Sequence, residues 1–136
     1  MLFRSAIVTD SWYWGLNDQT KAFAERYAKR FQGKTPTSLH AGTYSAVWHF
    51  LKAVDALDGK SDDGRAVVSK MKQLPSEDAL FGKGTIRQDG RRMVPVYVFQ
   101  VKPPSQKNDV YEVLRTVDAA DAYRRIEDGN CPLVSK

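Results

Sequence analysis

The chain changes its hydrophobic period once, near Pro75, and that change limits the folds open to it. Before Pro75 there is one short apolar run and three stretches of helical period. After it the pattern alternates. The apolar run, Ala6-Ile7-Val8-Thr9, has no polar face, which predicts an interior parallel strand covered on both sides. Neighbours for such a strand are not evident in the sequence. One strand followed by three helices closes no domain alone, so the chain reads as the tail of a larger α/β fold.

Helix one is predicted over about Asn17–Gln32, with Asn17 or Asp18 as the N-cap and Phe23, Tyr27 and Phe31 as an apolar stripe. Gly33 ends it and Pro36 prevents its resumption. Helix two spans about His40–Leu57, with Tyr44, Val47, Trp48, Leu51 and Val54 on its inward face. Helix three, about Gly64–Leu74, is capped by Asp62 or Asp63, turns Val67, Val68, Met71 and Leu74 inward and stops at Pro75. Leu80–Arg87 then reads as an extended arm in which Gly82-Lys83-Gly84 permits a twist, and Asp89-Gly90 as a tight hairpin turn. A return strand over Met93–Val101, a loop at Pro103-Pro104-Ser105, a strand over Val110–Val117 and a short helix over Asp118–Asp128 complete the order. Glu77 and Asp78 read as a cap or as a solvated loop.

The strand at Ala6 runs straight into Trp12, Tyr13 and Trp14 before helix one begins. Adjacent rings in a short strand-to-helix connection cannot all face one core. They either wall a ligand site at the carboxyl end of the strand or cover a helix. His40 stands at the start of helix two, where an imidazole can meet a ligand, whereas His49 is expected to be solvated. Tyr44 is a lesser candidate, because its spacing with Val47, Trp48 and Leu51 favours core packing.

Composition excludes more than it proposes. The 136 residues, 42% hydrophobic and 27% charged, suit one small globular unit. No apolar run reaches the roughly 20 residues that cross a bilayer. The net charge of +5 comes from 21 basic residues interspersed with 16 acids, not a clustered stripe, so nucleic acid is not expected as a partner. Cys131 is the sole cysteine, read as a packed thiol or as one separated from a disulfide partner. His40 and His49 lie nine residues apart with no clear third ligand, and no G-x-S-x-G elbow occurs. Neither a catalytic group, a metal nor a cofactor is expected. Met1–Ser5 lacks the pattern of a secretory signal and reads as an atypical, foreign start.

Four segments in order carry a resemblance: SWYWGLNDQTKAFAERY, AGTYSAVWHFLKAV, LFGKGTIRQDGR and VYVFQVK. Together they resemble the periplasmic substrate-binding proteins of branched-chain amino-acid-type ABC transporters, the type I, leucine/isoleucine/valine-binding-like receptors. The resemblance runs from Ala6 to Leu133 and implies the C-terminal third of such a receptor. It implies a partial α/β fold, with pieces of two Rossmann-like lobes joined by hinge crossings. Residues 6–11 would belong to the second lobe, 12–95 to the first, and 96–136 to the return crossing and the second lobe again. Asp10–Trp14 would be a hinge. The implied function is extracytoplasmic binding of an amino acid or an aromatic or aliphatic carboxylate, without catalysis, and delivery to an ABC permease. A sensory domain of the same fold, or a stand-alone interaction module, is the alternative. The ligand-binding residues expected within this chain are Trp12, Tyr13 and Trp14, then Leu39 and His40, then Tyr44. The family's main ammonium and carboxylate contacts would lie upstream.

Overall fold

A computed structural model describes residues 6–103, 110–132 and 134. The expected start at Met1–Ser5 and most of the loop at Pro103-Pro104-Ser105 lie outside the described residues. Strand β1 spans Ile7–Asp10 and is followed by helices α1 (Asp18–Arg30), α2 (Ser38–Asp55) and α3 (Gly64–Gln73). Two-residue strands β2 (Thr85–Ile86) and β3 (Arg92–Met93) form the hairpin. Strands β4 (Val96–Val101) and β5 (Tyr111–Val117) follow, then the one-turn helix α4 (Ala119–Ala122) and a 3₁₀ turn at Glu127–Gly129.

The caps explain the helix starts. Asn17 Oδ1 accepts from the Thr20 N–H, and Thr20 Oγ1 accepts in return from the Asn17 N–H, each at 3.0 Å. Asp63 caps α3 through the N–H groups of Arg65 and Ala66. Helix α2 begins two residues earlier than the apolar pattern predicts, because Thr37 is its N-cap. The Thr37 N–H donates to His40 Nδ1 at 3.1 Å, so the imidazole serves the cap.

The opening strand corrects an expectation. Among the described residues it is not interior, its pairing is antiparallel, and its neighbour is in the chain. β1 pairs antiparallel with β4, Val8 opposite Phe99, at the edge of a sheet ordered β1-β4-β5. Ile7 is accordingly exposed. Burial on β4 does not follow the expected alternation: of its residues Phe99 alone is fully buried, and it packs on Tyr97 and Tyr111. The return strand is nevertheless broken. Val94-Pro95 separates β3 from β4, and the two halves serve different sheets. The arm is likewise shorter than expected, since Asp78 and Gly82 exchange backbone hydrogen bonds and fold it into a turn. At Gly84 a Cβ would come within 2.8 Å of the Met93 carbonyl oxygen, so only glycine admits the close crossing. Gly90 takes φ +85 in the hairpin turn, where Arg87 binds Asp89 through two hydrogen bonds of 2.9 and 2.6 Å and holds its carboxyl down at about 2. The expected terminal helix is interrupted beyond Ala122. Tyr123 is extended, and the Arg124 carbonyl accepts from Arg87 Nη1 at 2.9 Å instead of continuing a helical ladder.

Helix α2 overturns the inward-face reading. The buried residues are Ala41, Ser45, His49 and Ala53, a stripe of period four. Tyr44, Val47, Trp48 and Leu51 are exposed. Small side chains let α3 and the hairpin approach α2 closely, while the large apolar stripe faces no other element among the described residues. Tyr44 does rest on Phe23, ring centroids 5.4 Å apart, and stacks on Trp48. In α3 only Val67 is buried, and Val68 faces outward. Phe31, at the end of the α1 stripe, is exposed but stacks on Tyr27 at 4.3 Å.

Candidate functional site

The three consecutive aromatics do different work because each meets a different part of the fold. Trp12 turns into the core against Phe23, Ala41 and Leu80 and is 2% exposed. Tyr13, next in sequence, points to the sheet. It packs on Phe99 and Tyr111, at 5.9 and 4.9 Å between ring centroids, and its hydroxyl accepts from the Val110 N–H at 3.0 Å. Trp14 leans on both, tilted against Tyr13 at 5.1 Å and against the core cluster. Gly15 cannot carry a side chain, because a Cβ there would meet the Tyr13 ring at 2.7 Å.

These rings line a cleft of about 400 Å³, together with Asp10, the segment Thr35-Pro36-Thr37-Ser38, Val110 and Tyr111. The cleft thus gathers the end of β1, the connection into α1, the N-terminus of α2 and the start of β5. One side is apolar. The other offers the hydroxyls of Thr37 and Ser38, the first-turn N–H groups of a helix with no acid in its first turn, and the Asp10 carboxylate. Asp10 Oδ1 already accepts from the Ser11 N–H at 2.7 Å. The Trp12 indole Nε1 is buried and makes no hydrogen bond among the described residues. A buried donor without a partner carries a desolvation cost that a bound acceptor can relieve.

Of the sequence candidates, Trp12, Tyr13 and Trp14 come together in this cleft. Leu39, His40 and Tyr44 do not line it. Leu39 is 79% exposed, and His40 packs its ring on Tyr27 at 5.0 Å while its Nδ1 serves the cap. The residues sequence reading missed are Asp10, Thr37, Ser38 and Tyr111. For Thr37 and Ser38 a signal existed: a threonine after Pro36 is a good N-cap.

A second polar cluster lies away from the cleft. Ser45 bonds both Asp78 and Arg92, and Arg92 Nη2 stands 2.8 Å from Asp78 Oδ2. Asp78 Oδ1 accepts from the Leu80 and Phe81 N–H groups at 2.7 and 2.9 Å, and Arg92 lies over the Phe81 ring. Burial works to raise the Asp78 carboxyl, but the bonds from Ser45, Phe81 and Leu80 and the Arg92 charge outweigh it, and the net shift is downward. Asp78 closes a turn through the Leu80 and Phe81 N–H groups and caps no helix, and at 4% exposure its side chain is not solvated either. His49 is also a correction. It is 4% exposed, with Nε2 2.8 Å from the Met71 carbonyl oxygen, because it shares the small-residue face of α2. Cys131 is a free thiol of intermediate exposure. Among the described residues no group of three or more His, Cys, Asp or Glu is placed to hold a metal, and no helix is long and apolar enough to cross a membrane.

The model of a family described as periplasmic binding protein matches residues 3–109. The chain belongs to this family. A periplasmic binding protein from Burkholderia mallei superposes with a TM-score of 0.89 at 32% identity, over 98% of this chain and 35% of that one. A branched-chain amino acid ABC transporter periplasmic ligand-binding protein from Burkholderia xenovorans gives 0.86 at 32% identity, over 96% and 35%. A solute-binding protein of an ABC transporter from Rhodopseudomonas palustris, solved with 3,4-dihydroxybenzoic acid, shares the fold at 21% identity and a TM-score of 0.72, over 85% and 31%. None of the curated proteins compared matches. The chain spans about a third of the length of the solved structures it resembles, and its fold is the corresponding part of the type I binding-protein fold. Members of this family bind solutes and are in general not enzymes.

Proposed function

We propose that this periplasmic binding protein chain contributes the hinge-side wall of a solute cleft in the extracytoplasmic receptor of an ABC transporter, and that its solute is an amino acid or a related small carboxylate. One observation carries the reading: Trp12, whose indole N–H is buried with no partner among the described residues, lines a cleft that also receives the N-terminus of α2. Both favour a carboxylate, and Asp10 stands where an ammonium would be matched. The aromatic walls favour an apolar or aromatic body on the ligand. In this reading Asp10–Trp14 is one hinge crossing and residues 96–101 another. Residues 6–11 and 96–136 move with one lobe and 12–95 with the other. The loaded receptor then delivers to a membrane permease. Leu39 and His40, exposed beside the cleft, would contact the ligand only when the lobes close, with Tyr44 behind them.

The test is a calorimetric titration of leucine, phenylalanine and benzoate into a chimaera in which this chain replaces the equivalent third of the Burkholderia xenovorans protein. Trp12→Phe removes the N–H and keeps one aromatic ring in place of the bicyclic indole, so its fold is checked first by urea unfolding. It should weaken the best ligand about tenfold or more, the worth of a hydrogen bond to a charged group. A chimaera that binds well but is indifferent to Trp12→Phe and Trp14→Ala would show that this wall does not recognise the solute. A folded chimaera that binds none of the three would refute the carboxylate assignment.

A further inference from the structure

A second cavity, of about 480 Å³, lies between α2, α3 and the β2–β3 hairpin. It shares no lining residue with the hinge-side cleft. Met71, Phe81, Ile86 and Val94 give it apolar walls, and His49 and Arg92 line it too. Both of these carry a buried atom with no hydrogen-bond partner, His49 Nδ1 and Arg92 Nε. His49 is 4% exposed, and its Nε2 is 2.8 Å from the Met71 carbonyl oxygen. A carbonyl only accepts, so the ring hydrogen sits on Nε2 and Nδ1 presents a lone pair. Arg92 spends its two Nη groups on Ser45, Asp78 and the Ser76 carbonyl, which leaves the Nε–H as a donor. Ser45 lies one helical turn before His49 on the buried face of α2 and bonds Arg92, so both residues stand against the same helix face.

Beside the His49 acceptor and the Arg92 donor, the lining carries the hydroxyls of Ser11, Ser76 and Tyr123, and also Lys72, whose Nζ donates to the Gln88 carbonyl. Asp78 already neutralises Arg92 at 2.8 Å and would repel an anion. A single water fills roughly 30 Å³, and a cavity of about 150 Å³ accommodates benzene, so the chamber has room for a ring. We propose that this cavity binds a small uncharged apolar molecule bearing one hydroxyl group, of the phenol class. The hydroxyl donates to His49 Nδ1 and its oxygen is open to the Arg92 Nε–H. The site is independent of the hinge-side cleft.

The experiment titrates the full chain, with its histidines labelled with ¹⁵N, against phenol and against anisole. Anisole keeps the ring and oxygen and replaces the hydroxyl hydrogen by a methyl group. Phenol should bind saturably, move the His49 Nδ1 resonance and exceed anisole at least tenfold in affinity. His49→Phe, checked for fold by circular dichroism, should reduce phenol to the anisole level. If that variant does not fold, the phenol–anisole pair decides without it. Equal affinity for the two, an unmoved His49 resonance during saturation, or no binding of either overturns the proposal. Because the signal is read at His49, the outcome does not depend on the hinge-side reading.

Discussion

Two regions of this periplasmic binding protein are held together in different ways. Around Phe99 the contacts are aromatic: Tyr13, Tyr97 and Tyr111 surround it, and its side chain is fully buried. Around Ser45 the contacts are polar, and one carboxylate, one guanidinium and one hydroxyl tie α2 to the hairpin. The first region gains its stability from area, which is non-directional and tolerant of small shifts. The second gains it from direction, and the loss of one partner leaves the other desolvated. Under the hinge and lobe assignment proposed above, the aromatic arrangement suits a segment that bends while packed, and the polar one suits a unit that keeps its shape.

The largest effect should come from Phe99→Ala. Truncation of a buried phenylalanine costs about 3–5 kcal/mol, and here it would also unseat Tyr13 and Tyr111. Urea unfolding of the chain should show the loss directly. A cost below about 1 kcal/mol would mean that the sheet region is already loose, and the contrast would collapse.

Asp78→Ala comes next. Removing one member of a fully buried pair costs about 3–5 kcal/mol, but the Arg92 side chain is 21% exposed, so roughly 2–3 kcal/mol is the better expectation. This region should also be the acid-sensitive one. Asp78 has a lowered folded-state pKa, so its contribution is complete above the ordinary carboxylate range. It is lost as pH falls from about 4 through the folded value. Unfolding measured between pH 7 and pH 3 should steepen below about pH 4 in the native chain. In Asp78→Asn that limb should become shallower without vanishing, because Asp89 is also held down, whereas Phe99→Ala should keep it whole. A parallel acid limb in Asp78→Asn would assign the pH dependence elsewhere.

Local signals in the sequence were read well where chemistry is local. Asn17, Asp63 and the Asp89-Gly90 turn act through neighbours within a few residues and stand where the pattern put them, whereas α1 ends two residues early and Gln32, not Gly33, follows its C-cap. The strand from Ala6 was legible as a strand, but not its pairing. An apolar run of four residues carries no information on whether its partner is upstream or, as here, about ninety residues on. The aromatic triplet was legible as a special connection, yet the division of labour among its rings depends on Phe23 and Phe99, which lie far along the chain. Asp10 and Tyr111 enter the cleft only through sheet register. The α2 faces were read in reverse because periodicity finds the large apolar stripe and not the small one. The stripe that packs in this chain, Ala41, Ser45, His49 and Ala53, has almost no hydrophobic signature.

The smallest effect on folding should come from that other α2 face, and it sharpens the contrast from a third side. Val47, Trp48 and Leu51 are 52%, 44% and 52% exposed, so Leu51→Lys removes little buried area. Stability should change by no more than about 0.5 kcal/mol. The stripe is nonetheless a row of large apolar groups on one helix surface, with Tyr44 and Trp48 stacked beside it, and such patches drive association. Leu51→Lys should therefore shift the native chain toward the monomer in gel filtration at the concentrations where it self-associates, with the urea midpoint unmoved. The same substitution placed at Ala53, fully buried on the opposite stripe, should do the reverse and unfold the chain without any gain in solubility. If Leu51→Lys instead costs more than 2 kcal/mol, the exposed stripe is packed in solution against something within the chain, and the assignment of the two α2 faces is wrong.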